Sequence, residues 1–266
     1  MSAKSAVIPF VKASACGNDF LLIDRELAPA DIAGFTRRIC NRHEGVGADG
    51  VEWMSPHATA DVDLHLVNSD GSVAEISGNG TRCVAAYLCA DRGKETVAIQ
   101  TEAGLKVCTL TARSDSGYEF EAAMGAAEVG KEKTVETTFD DFPGIPVSMG
   151  NPHFVVFVNR FDVNWQEQAE AIQRDSGFEH GVNVELVLPG GKHDLQVRFF
   201  ERGVGETQSS GTGSCAAAVA AMSTGRSLSP VKVHTLGGTQ IVRWENDQVF
   251  LRGWARLTFR GEFFLD

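Results

Sequence analysis

Along most of the chain, apolar and polar residues alternate over short runs that end at Gly, Asp or Asn. In DVDLHLVN at 61–68, Val62, Leu64 and Leu66 fall on one side of an extended backbone, with Asp61, Asp63 and His65 on the other. This predicts a strand with one wet face. Similar runs recur at FLLID, VAIQT, LKVCTL, YEFEAAM, HFVVFV, NVELVL, LQVRFF, VKVHTL, TQIVRW and QVFLRGW, so the chain is strand-rich. Helical spacing is confined to DIAGFTRRICNRH, with Asp31 near its start, WQEQAEAIQRD, TRCVAAYLCADRG and SCAAAVAAMSTG. The last two are small and apolar on nearly every side. That composition suits a helix enclosed all round, each wrapped by its own curved sheet.

Each enclosed helix follows a serine and a glycine turn: SGNGTRC at 77–83 and SSGTGSC at 209–215. Ser77 and Ser210 stand half a chain length apart in a chain of 266 residues, which reads as an internal duplication. Between the halves, AAEVGKEKTVETTFDDFPG at 126–144 is charged, weakly periodic and closed by Pro143 and Gly144. It is the expected crossing, and a hinge there would let the halves close on a ligand. A helix start exposes unpaired N–H groups and partial positive charge, and glycine lets an anion reach them. Two such starts facing one cleft would hold one anion from both sides. Alone, GNG or GTG is ordinary turn chemistry; the duplicated setting points to a ligand.

A hydrophobic share of 43% supports a packed core. The formal net charge of −11 excludes a nucleic-acid or acidic-membrane surface as the expected partner. MSAKSAVIPFVKAS lacks the apolar core of an export signal, and no run approaches the ~18 apolar residues of a membrane span, so the expected location is the cytoplasm. The six cysteines form neither a disulfide nor a zinc pattern, and Cys83 and Cys89 read as small buried apolar side chains.

Further polar clusters lie at ACGNDF (15–20), HEGVGADG (43–50), NSDGS (68–72), MGNPHF (149–154), GVN (181–183) and ERGVGET (201–207). With FVKASACGNDFLLID, RHEGVGADGVEW, NSDGSVAEISGNGTRC, MGNPHFVVFV, GVNVEL, ERGVGETQSSGTGSCAAA and the closing TFRGEFFL, the chain resembles diaminopimelate epimerases over nearly its whole length. The resemblance implies an α+β fold of two pseudo-symmetric domains, each a curved antiparallel sheet around a central helix. It also implies that the last strand returns to the first domain, giving domains of 1–125 plus 256–266 and of 126–255.

The resemblance further implies roles. Asn18, Asn68, Asn151 and Asn183 would read the polar groups of an amino-acid substrate; Glu201 and Arg202 would meet its distal end; and Gly78, Asn79, Gly211 and Thr212 would cradle carboxylate. His153 and Glu201 would stand beside the two catalytic positions. Asn both donates and accepts, and Arg grips a carboxylate through two parallel bonds, so the residue types suit the task. The implied reaction uses no cofactor and no metal: one thiolate removes the α-proton and a thiol on the other face returns one. A homodimer is among the assemblies it allows.

The family's two cysteines precede GNG and GTG, where this chain has Ser77 and Ser210. A serine hydroxyl is a poor base unless a neighbour takes its proton, and pairs of Ser77 with His153 and of Ser210 with Glu201 would supply one. Four readings stay open: an epimerase of reduced activity, an engineered Cys-to-Ser form, a related isomerase or dehydratase of a small carboxylic acid, and a silent amino-acid-binding paralogue.

Overall fold

A computed structural model describes residues 6–265. The start of the segment read for an export signal and Asp266 lie outside the described residues. The chain divides into two units, Met1–Ala122 with Gly253–Asp266, and Ala123–Arg252. All four expected helices form: α1 (Ile32–Cys40), α2 (Gly78–Arg92), α3 (Trp165–Gln173) and α4 (Gly211–Ser223).

In the first unit, strand Asn18–Asp24 pairs antiparallel with Ala6–Ala15 and parallel with Gly50–Ser55. Gly50–Ser55 pairs antiparallel with Val62–Asn68, which in turn runs parallel to Thr96–Thr101. The second unit repeats this order: Pro152–Phe157 pairs antiparallel with Asp141–Ser148 and parallel with Asn183–Gly191; that strand is antiparallel to Asp194–Glu201, which is parallel to Val231–Thr235. Each unit therefore carries two parallel pairs among its antiparallel ones. Parallel neighbours need a crossover, and a helix lies in each of the four connections.

The segment 126–144 is not a bare linker: it contains Glu128–Val129, Lys133–Glu136 and the start of Asp141–Ser148, all paired within the second unit. The last strand, Gln248–Leu265, begins in the second unit, where Arg252 pairs with Ile241, and ends in the first, where it pairs with Ala6–Ala15.

Each unit has two apolar layers. Inside the first, Cys83, Val84, Ala85, Ala86, Leu88 and Cys89 of α2 pack against Val62, Leu64 and Leu66, the face that alternation assigns to the core. On the other side of the sheet, Phe35 and Ile39 of α1 pack against Val51 and Trp53. In the second unit, Cys215–Ala221 of α4 fill the inner layer with Val197 and Phe199, while Trp165, Ala169 and Ile172 of α3 cover the outer face. Small side chains let sheet backbone approach the inner helices closely, the form their all-round apolar composition anticipates.

Candidate functional site

The two inner helices start alike. Ser77 is the N-cap of α2 and its Oγ accepts from the Gly80 N–H at 3.0 Å; Ser210 is the N-cap of α4 and its Oγ accepts from the Gly213 N–H at 3.2 Å. Serine satisfies one of the orphan donors at a helix start and contributes about 1 kcal/mol there. Both hydroxyls still carry a proton they can donate.

A carboxyl group sits under each start. A β-carbon added at Gly80 would lie 1.7 Å from Glu52 Oε1 and 3.2 Å from Ser77 Cβ, so Gly80 leaves the room that the Glu52 carboxyl occupies. At Gly213 the added carbon would lie 2.7 Å from Glu185 Oε1. Glu52 and Glu185 stand at matching positions of Gly50–Ser55 and Asn183–Gly191, separated by the same half chain length as the two serines. Both are almost wholly buried. Burial pushes the Glu52 carboxyl up to about 8. Burial likewise raises Glu185, against the pull of His153.

In the second unit, His153 Nδ1 stands 2.7 Å from Glu185 Oε1, and its Nε2 stands 3.0 Å from Asn151 Oδ1. Asn151 Nδ2 donates to Thr212 Oγ1 at 3.4 Å. Asn183 Nδ2 donates to the Pro152 carbonyl, and its Oδ1 accepts from the Arg202 N–H. Arg202 is exposed and donates through Nη1 to the His180 carbonyl. Glu201 Oε1 accepts from Thr207 Oγ1 at 2.7 Å. The structure thus brings His153, Asn151 and Thr212 into one chain of contacts and ties Asn183 to Arg202. The partner of Glu201 is Thr207, and that of Ser210 is Gly213. Ser77 belongs to the first unit and His153 to the second.

In the first unit, Asn79 Nδ2 donates to Asn18 Oδ1 at 2.7 Å, and Asn18 Nδ2 donates to Asp49 Oδ2 at 3.0 Å. Arg42 holds Asp49 at 2.7 Å. Arg82, fully buried, donates to Asn79 Oδ1. Asn68 donates to Ser72 Oγ at the end of Val62–Asn68. Gly78 and Gly211 open the first turns, and Gly211 and Thr212 stay partly accessible. Among the described residues, no group of three or more His, Cys, Asp or Glu side chains is placed to hold a metal ion.

Sequence reasoning passed over Glu52 and Glu185. The available signal was an acidic residue inside an apolar run, in GVEWM and in NVELVL, at the same offset as the serines.

Comparison with known proteins identifies the family. The diaminopimelate epimerase family model matches residues 10–129 and 145–258. The diaminopimelate epimerase of Pelotomaculum thermopropionicum is 36% identical, over 96% of this chain and 98% of that one; that of Moorella thermoacetica is 35% identical, over 97% and 99%. Among solved structures, a phenazine biosynthesis protein of the PhzF family from Bacillus anthracis superposes with a TM-score of 0.75 at 15% identity, over 98% of this chain and all of that one, a likeness of fold. With the family model spanning both units and relatives aligned end to end, the chain belongs to the diaminopimelate epimerase family, a family of isomerases.

Proposed function

We propose that this chain inverts the stereocentre of an amino acid carrying two carboxylates, interconverting LL- and meso-diaminopimelate for lysine and cell-wall precursor synthesis in the cytoplasm. Its own side chains do the acid–base work, with no cofactor or metal. Inversion needs one group to remove the α-proton and another to return a proton to the opposite face of the same carbon. The observation that carries the reading is the repeated helix start: in each unit a serine N-cap, a glycine turn and a buried carboxyl beneath it. The N–H groups and helix dipole would stabilise negative charge developing on the substrate carboxylate. Asn18, Asn68, Asn151 and Asn183 would read ammonium and carboxylate. Glu201 and Arg202 would hold the distal end, since the guanidinium keeps donors beyond the one used on His180.

A second reading, an amino-acid-binding protein without turnover, is favoured by the capping role of both serines, because each hydroxyl oxygen already accepts from a backbone N–H. One measurement separates the two. In deuterated water, NMR of LL- and meso-diaminopimelate with this protein should show deuterium entering the α-position with inversion. Binding without exchange would leave the second reading standing and overturn the first.

A further inference from the structure

Glu52 is a buried carboxyl of the first half-site to which no role above has been given. Its side chain is 1% exposed, and its Oε1 has no hydrogen-bond partner among the described residues. That oxygen is not turned idly inward. It points into the first turn of α2, towards the same small space that Gly80 and the Ser77 β-carbon border.

The second unit shows what such a carboxyl does with a partner: Glu185, at the matching position, is bonded to the His153 ring. At the position matching His153, the first unit has the buried phenyl ring of Phe20, which can neither give nor take a proton. Glu52 is therefore left facing the serine end of its helix. Of the ionisable neighbours on that helix, Arg82 is engaged with Asn79 and Cys83 is kept as a thiol by its own burial.

We infer that Glu52 is the proton store of the first half-site, taking the hydroxyl proton of Ser77 and giving it back. This deepens the epimerase reading and rests on it. In one direction the substrate Cα–H bond breaks as its proton passes to Ser77 Oγ. The bonding pair stays on the substrate as an enolate, and the Ser77 hydroxyl, which is not bonded to Glu52 in this structure, turns towards Oε1 and passes its proton to the Glu52 carboxylate. In the other, the Glu52 carboxyl proton passes to Ser77 Oγ while the Ser77 proton passes to the carbanion. Protons and charge balance with no further reactant. Glu52 acts through the serine, so it is a positioning and proton-holding residue.

The test replaces Glu52 by Gln, which keeps the shape and removes the titrating group. Glu52→Gln should lower α-hydrogen exchange of diaminopimelate by about 100-fold or more. It should remove from the pH profile of kcat/KM the limb that titration of the Glu52 carboxyl would give, and leave the Kd for diaminopimelate unchanged. Glu52→Asp, which withdraws the carboxyl by one methylene, should lower kcat with little change in KM. A readout independent of turnover is the carbon-13 signal of the Glu52 carboxyl: Ser77→Ala should shift its titration midpoint. Wild-type exchange that persists unchanged in both Glu52 variants overturns the Glu52 role and spares the epimerase reading. A wild-type protein without exchange overturns that reading; the carboxyl signal then decides whether Glu52 and Ser77 are coupled, and an unmoved midpoint sinks the inference.

Discussion

His153 Nδ1 lies 2.7 Å from Glu185 Oε1, and each side chain is only 1% exposed. A histidine and a carboxyl sealed together share a proton more readily than they separate charge, because neither ion is hydrated there. Burial raises Glu185, so the group that keeps this pair satisfied is the ring opposite it.

Removing that ring has a definite cost. His153→Ala should lower stability by about 3 kcal/mol, the usual penalty for stranding a buried partner, while Glu185→Gln, which keeps a hydrogen bond to the ring, should cost less than half as much. Urea denaturation of the two variants checks the order. Equal losses would show that the pair matters only as packing.

The raised carboxyl of Glu52 makes stability depend on pH in a stated direction. Unfolded, the group titrates near its ordinary 4.5; folded, near 8. Between these values the native state binds more protons than the unfolded one, so stability is fully present below about 4.5 and is lost as pH rises through 8. The loss is at most on the order of 5 kcal/mol. Glu52→Gln should flatten this slope, giving a variant that gains on the wild type in denaturation midpoint between pH 5 and pH 8.5. Parallel curves for the two proteins would show that Glu52 stays ionised in the fold.

Thiols at the two N-caps should change rate and stability in opposite senses. Ser77→Cys with Ser210→Cys should raise epimerisation by about 100-fold or more, because a helix start brings a thiol into the working range far more easily than a hydroxyl. Either change alone should do much less, since inversion uses both positions. Each replaced cap should also cost about 1 kcal/mol, sulfur being the weaker acceptor for the Gly80 and Gly213 N–H groups. A double variant as slow as its parent would point to a different substrate.

Much of this molecule was legible in its residues, for reasons that also explain the omissions. Alternation at 61–68 identified the buried face of Val62–Asn68, and the all-round apolar sequence of α2 and α4 announced enclosed helices. Gly50–Ser55 escaped the same logic because α1 covers one face and α2 the other: Val51 and Trp53 pack outward with Phe35, while Met54 packs with the α2 layer. A strand buried on both sides shows no wet face, so Glu52 reads as a solvent residue when it is one of the best hidden in the chain. The starts of α2 and α4 were placed three residues late, since Gly-Asn-Gly and Gly-Thr-Gly read as turns until their serine caps are seen to accept from Gly80 and Gly213. Distant pairings such as Glu185 with His153 leave no local trace at all, because they are made by strand register.

The strand Gln248–Leu265 gives the molecule an order of completion that runs against the order of its sequence. During synthesis, residues 6–122 are made before Gly253–Leu265, the stretch that supplies one of the two neighbours of Ala6–Ala15. The second unit has every one of its strands once Arg252 has appeared, so the half encoded later is the half that can mature earlier. A nascent chain from which Arg252 has emerged and Gly253–Leu265 has not would hold every strand of the second unit and an open first one, with one edge of Ala6–Ala15 left to find another partner.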